Sequence, residues 1–96
     1  MGDIRLPDTF PLAGTEKTTI STTAVALTVP AGATGAVVYI EDQPVRWRDD
    51  GTAPTATLGV LAKADSSVEV KVHSLTTIKF IRQGGTDAAI SVAYYK

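Results

Sequence analysis

The side chain best suited to acid–base chemistry in this sequence is its one histidine, His73. A catalytic triad needs an imidazole that a carboxylate orients towards a nucleophile. His73 instead alternates with Glu69 and Lys71 along a predicted strand, on the face that meets solvent. One histidine and no cysteine also give too few ligands for a His- or Cys-type zinc site. We therefore expect an exposed surface histidine, no catalytic residue and no cofactor.

Two acidic pairs, Glu41-Asp42 and Asp49-Asp50, flank the predicted strand 44–48. If the four carboxylates converged, they could hold Ca²⁺, which prefers oxygen ligands, or supply the acid and base of a glycoside hydrolase. The ligand spacing of an EF-hand is absent, however, and Arg46 and Arg48 lie between the pairs. The pattern favours tight turns with ion pairing, and we expect no metal site.

The segment Val45-Arg46-Trp47-Arg48 is the most distinctive stretch of the chain. On a strand, Trp47 shares a face with Val45, and the two arginines point the other way. The single tryptophan is expected to fill the core. Arginine is enriched at protein interfaces and pairs with carboxylates through two hydrogen bonds, so Arg46 and Arg48 are candidates for an interface as well as for internal ion pairs. The formal net charge of −1 argues against a nucleic-acid partner.

The elements that must position these residues are predicted to be strands. Apolar residues alternate with polar ones in 23–29, 68–73, 77–82 and 89–95, and turn-forming residues separate these runs. Only 58–63 could hold a single turn of helix, and Gly59 weakens that interpretation. We predict an all-β fold: one antiparallel β-sandwich, Greek-key or jelly-roll-like, with seven or eight short strands over residues 15–96.

Residues 1–14 differ from the rest and are predicted to form an extended N-terminal arm. Two prolines prevent this segment from joining a central strand at those positions. Its large apolar side chains need a surface to cover, either on their own domain or on a neighbouring subunit. A 96-residue domain offers little spare apolar surface, which favours the neighbour. The predicted interface residues are Ile4, Leu6, Phe10, Leu12, Arg46 and Arg48.

The first residues also lack the basic and apolar regions of a signal peptide. The longest apolar runs are far shorter than the ~20 residues that cross a bilayer. We therefore expect a protein that is made in the cytoplasm and has no membrane partner.

Residues 22–96 resemble a family of small proteins encoded among the virion genes of tailed bacteriophages. The likeness lies in Val25–Ala33, Ile78–Arg82 and Val92–Tyr95, and most specifically in the stretch V-R-W-R-D-D-G-T-A-P-T at 45–55. The resemblance implies a β-sandwich that serves as a virion structural protein and not as an enzyme. It implies no catalytic residue, and it does not fix the position in the virion.

Three roles remain open within that resemblance. The first is capsid decoration, in which the protein binds the shell as cement; its partners would then be the major capsid protein and other copies of itself, with a trimer as the expected oligomer. The second is a neck or tail component. The third is a host-surface or carbohydrate-binding module, because all-β sandwiches often bind sugars. Besides two phenylalanines, the rings available for sugar stacking are Tyr39, Trp47, Tyr94 and Tyr95, and most of them are expected to pack in the core.

Overall fold

The computed structural model describes residues 11–96, with side chains from residue 16 onward. Its eight strands form two four-stranded antiparallel sheets. The strands are β1 (Pro11–Ile20), β2 (Val25–Ala26), β3 (Gly35–Ile40), β4 (Val45–Arg48), β5 (Val60–Ala62), β6 (Ser67–Lys71), β7 (Lys79–Arg82) and β8 (Ala88–Tyr95). Sheet A has the order β1-β8-β3-β6, and sheet B has the order β2-β7-β4-β5.

The all-β prediction is confirmed, and the two sheets pack in a sandwich-like arrangement. The Greek-key or jelly-roll connectivity stays a prediction. The turn of helix considered for 58–63 is wrong, because Val60–Ala62 pairs with β4 as a strand. Among residues 11–96 no helix is long and apolar enough to cross a membrane.

The core lies between the sheets and takes alternate residues from each central strand. In β8, Ile90, Val92 and Tyr94 are buried while their neighbours are partly exposed, as the alternation predicted. Sheet B contributes Val45 and Phe80, both fully buried. Stiff β-branched side chains suit this pleated, half-buried surface. Both sheets therefore bury one face against the other.

The strand predicted from the alternation in 68–73 is longer than the strand in the structure. The alternation predicts that Val68, Val70 and Val72 share one face of a strand, but only Val70 is buried and Val72 is 51% exposed. Strand β6 ends at Lys71, and Val72–Ser74 form one turn of 3₁₀ helix. The turn redirects the chain, so the period of two no longer applies after residue 71. His73 is exposed, as predicted, but lies in this turn rather than on a strand.

The N-terminal arm was predicted to end at residue 14, and β1 begins at Pro11 with a shift of register between Pro11 and Thr15. A proline is tolerated there because it is the first residue of an edge strand. Ile4, Leu6 and Phe10 lie outside the described residues, as does the side chain of Leu12. Their predicted role at an interface stays a prediction.

A carboxylate fastens edge strand β1 to the rest of the sandwich. Glu16 accepts hydrogen bonds from the Tyr94 hydroxyl, from the Thr18 hydroxyl at 2.9 Å and from the Thr28 backbone N–H at 3.3 Å. Partial burial alone would raise the pKa of Glu16, but these hydrogen bonds together outweigh it and lower the pKa below its usual 4.5. Burial and the bond to Glu16 raise the pKa of Tyr94.

The lowered pKa of Glu16 predicts a specific loss of stability in acid. A group with a depressed folded-state pKa stabilises the protein above its unfolded pKa, and this contribution disappears as pH falls through the folded value. We expect Glu16→Gln to be less stable than the wild type at pH 7, by no more than about 1 kcal/mol because water screens a partly exposed group. Urea unfolding should show this difference shrinking below about pH 4.5. A difference that is constant with pH would contradict the assignment.

Candidate interaction surface

Arg46 holds the 49–59 loop across the outer face of sheet B. Its Nε donates to the Ala56 carbonyl at 2.9 Å, and its Nη1 donates to the Gly59 carbonyl at 2.9 Å. The loop thereby comes to lie beside Ile81, the neighbour of Arg46 on β7, which is only 9% exposed although it points outward. Arg46, predicted as an interface residue, thus makes internal contacts that shape the loop.

Arg48 binds the start of the same loop. Its guanidinium donates two hydrogen bonds to the Asp50 carboxylate, whose Oδ1 also accepts the Thr52 backbone N–H at 3.2 Å. The bond from Arg48 lowers the pKa of Asp50, and the bond to Asp50 raises the pKa of Arg48. The expectation that Arg46 and Arg48 neutralise both acidic pairs is met at Asp50 only, since among the described contacts Arg46 binds backbone carbonyls and Glu41 pairs with Lys17. Any role of Arg46 and Arg48 at an interface stays a prediction.

The four acidic residues considered for a cation or a hydrolase site do not converge. They lie at opposite ends of β4 and have separate partners. Glu41 accepts a hydrogen bond from Ser91 and pairs with Lys17, and both partners lower the pKa of Glu41. Asp42 accepts a hydrogen bond from the Ala89 backbone N–H. Asp49 accepts one from the Ser74 hydroxyl. Within residues 11–96 no group of three or more His, Asp or Glu residues could hold a metal ion. Each carboxylate therefore fixes a turn or joins two strands.

Exposed apolar side chains concentrate around β5 and its preceding residues. Leu58, Val60 and Leu61 are 57%, 52% and 43% exposed. Val60 pairs with Trp47, which packs against the core but is only partly buried. Trp47 also lines two surface depressions. We call these four residues, Trp47, Leu58, Val60 and Leu61, the β5 surface.

Gly59 sets the direction in which the chain enters this surface. Its φ of +140° is in the region that side chains disfavour. A Cβ at this position would lie 3.1 Å from the Trp47 carbonyl oxygen and 3.2 Å from the Pro54 Cβ. The glycine therefore allows the loop to approach β4 closely, and Leu58 and Val60 emerge on either side of it.

Of the four edge strands in the described part of the chain, β5 has neither a charge nor a proline, and only its length of three residues protects it against pairing with another strand. Natural proteins protect edges with charges, prolines, inward-pointing charged residues or very short strands. Strand β1 carries Pro11 and the inward-pointing Glu16, β6 carries Glu69 and Lys71, and β2 has two residues. Strand β5 reads Val-Leu-Ala. Its free edge is therefore suited to contact with another polypeptide.

The aromatic rings available for sugar stacking do not form one platform. Tyr94 is buried, and Trp47 lies on the inner face of sheet B. Tyr39 and Tyr95 lie on the outer face of sheet A at opposite ends of β3, since Tyr39 pairs with Ser91 and Gly35 pairs with Tyr95. The Tyr39 hydroxyl donates to Asp65 at 3.0 Å, and this bond raises the pKa of Tyr39.

The sequence interpretation missed the β5 surface. The run Leu58-Gly59-Val60-Leu61-Ala62 has no charge, and such a run usually predicts a buried strand. The signal that could have identified an edge is its shortness between two turn regions. Trp47 was expected in the core, and the structure places it at the border of the core, where it forms part of this surface.

No protein-family model matches the chain, and comparisons with curated proteins and with solved structures give no match.

Proposed function

We propose that this chain is a structural protein of a tailed-bacteriophage virion, and that it decorates the capsid shell as a cement protein. The observation that carries the proposal is the β5 surface, where three apolar side chains are about half exposed around the free edge of a strand that carries no charge. An apolar surface of this kind is typical of protein–protein contact. The likeness of residues 45–55 to phage virion proteins supports the same role.

The physical properties of the chain support a binding role of this type. Decoration requires a small stable module that binds many equivalent sites, because modest contacts give strong attachment when several copies engage together. Arg46 and Arg48 contribute by fixing the loop that presents Leu58. The proposed partners are the major capsid protein and other copies of this chain. The proposal assigns no catalytic step and locates the protein on the virion.

The copy number in purified virions tests this role. We expect quantitative mass spectrometry to find a number of copies close to that of the major capsid protein, or a simple fraction such as the third that a trimer at three-fold positions implies. Peptides from a minor tail protein in the same sample serve as the internal reference for low copy number.

Two other outcomes would each overturn decoration. A ratio near that of the minor tail protein would move the chain to the neck or tail. A chain that is missing from the shell but retained on host cells or glycans would instead be a host-binding module.

A further inference from the structure

We propose that the β5 surface binds residues 3–6 of a second copy of this chain, which add to sheet B as a further strand antiparallel to β5. The inference names a partner for the surface and does not depend on the virion assignment.

The free edge of β5 has the properties that strand addition requires. The strand pairs with β4 on one side and has no strand on its other side in residues 11–96. Alternate backbone N–H and C=O groups of an edge strand point outward and can pair with an incoming strand. Beside them, Trp47 and Val60 line a depression that extends to Val68 on β6. An incoming strand that places apolar side chains towards the interior would cover this depression.

Residues 3–6 match that edge in chemistry and in length. The sequence Asp-Ile-Arg-Leu alternates polar and apolar side chains, so both apolar residues share one face of a strand. Pro7 follows, and proline lacks the N–H that would continue the ladder. One antiparallel register gives each side chain a suitable environment. In it, Ile4 and Leu6 lie on the inner face of sheet B, and Asp3 and Arg5 lie on its outer face. The pairs are Asp3 with Lys63, Ile4 with Ala62, Arg5 with Leu61 and Leu6 with Val60.

This register also agrees with the local charges and with the end of β5. It places the Asp3 carboxylate opposite the ammonium of Lys63, whose side chain is exposed, and opposite charges directly across a strand pair stabilise it. Pro7 falls opposite Gly59, the residue before β5 begins. The added strand and β5 therefore end at the same position.

We assign the occupant to a second copy because the arm, even fully extended, barely covers the straight-line distance to its own β5. Strand β1 lies at one edge of sheet A, and β6 lies at the other. Strand β5 of sheet B lies beside β6, so β1 and β5 are at opposite sides of the sandwich. Strand spacings of ~4.8 Å and a sheet separation of ~10 Å put the two strands about 17 Å apart. Fully extended, the residues from Leu6 to Pro11 span at most about 18 Å. This length barely covers the straight line and is too little for a path around the loops at that end of the sandwich.

Exchange between copies is a head-to-tail contact, since the arm of one chain occupies the edge of the next. Such contacts close into rings when the rotation between copies permits. The expected trimer is one such ring.

Cysteine cross-linking tests the register directly, because the natural chain has no cysteine. Asp3→Cys and Lys63→Cys chains are purified separately, mixed in equal amounts and oxidised. We expect a mixed disulfide between the two variants at a yield at least about tenfold above that of Asp3→Cys mixed with Lys71→Cys, since binding raises the local thiol concentration. Lys71 is the matched control, an exposed lysine on edge strand β6.

Light scattering of the full chain provides the second measurement. We expect the wild type and Thr9→Asp to have the mass of an oligomer, and Leu6→Asp to have the mass of one chain with unchanged circular dichroism. Equal cross-linking to positions 63 and 71 would overturn the inference. So would a disulfide formed only within one chain in the Asp3→Cys/Lys63→Cys double variant. A monomeric wild type found in virions in shell-like numbers would overturn this inference and leave the proposed function standing.

Discussion

Arg46→Ala is expected to lower the free energy of unfolding by about 2 kcal/mol, since hydrogen bonds from a charged donor contribute roughly 1.5–3 kcal/mol each and one of the two is solvent-exposed. The substitution removes the donor to the Ala56 and Gly59 carbonyls, which lie 2.9 Å from the guanidinium. It also releases the loop beside Ile81, whose outward-facing side chain would then meet water. Urea unfolding followed by circular dichroism measures the loss.

Arg48→Ala is the matched control for this prediction. Arg48 is on the same face of β4 and makes as many hydrogen bonds, but both go to the exposed carboxylate of Asp50. Surface ion pairs contribute little to stability, so Arg48→Ala should be much less destabilising than Arg46→Ala. If the two variants lost equal stability, the role of Arg46 in holding the loop would be wrong.

Much of the fold followed from local patterns in the sequence. The period of two in β8 identified Ile90, Val92 and Tyr94 as buried, because that strand is central and keeps one face on the core along its whole length. The end of β6 was less predictable. Val72 continues the alternation in the sequence, but the 3₁₀ turn at Val72–Ser74 turns it into solvent. The alternation of apolar and polar residues does not encode this change in the direction of the chain.

The candidate surface depended on long-range contacts that no local pattern contains. Arg46 was identified as distinctive, yet its partners Ala56 and Gly59 are backbone carbonyls, which carry no sequence signature. The exposure of Val60 follows from strand order, because β5 has a neighbour on one side only. The acidic pairs were grouped by closeness in sequence, but β4 separates them in space.

The second large effect is expected at Val60. In the proposed contact Val60 is covered by another chain, and a carboxylate there would be buried without a partner, which is costly. Val60→Asp should therefore weaken the contact between copies, and with it the multivalent binding to the shell, at least about tenfold, equivalent to roughly 1.4 kcal/mol. Val72→Asp is the matched control, since Val72 is 51% exposed against 52% for Val60 and lies outside the β5 surface.

The most direct test of the central claim, that contact between copies through the β5 surface holds this chain on a shell, is a binding titration. Capsids prepared without the protein are titrated with the wild type, Val60→Asp and Val72→Asp, and bound copies are counted by quantitative mass spectrometry. We expect the wild type and Val72→Asp to saturate at the same number of copies, in proportion to the capsid subunits, and Val60→Asp to bind at least about tenfold more weakly. Identical binding curves for all three chains, or no saturable binding of the wild type, would contradict the claim.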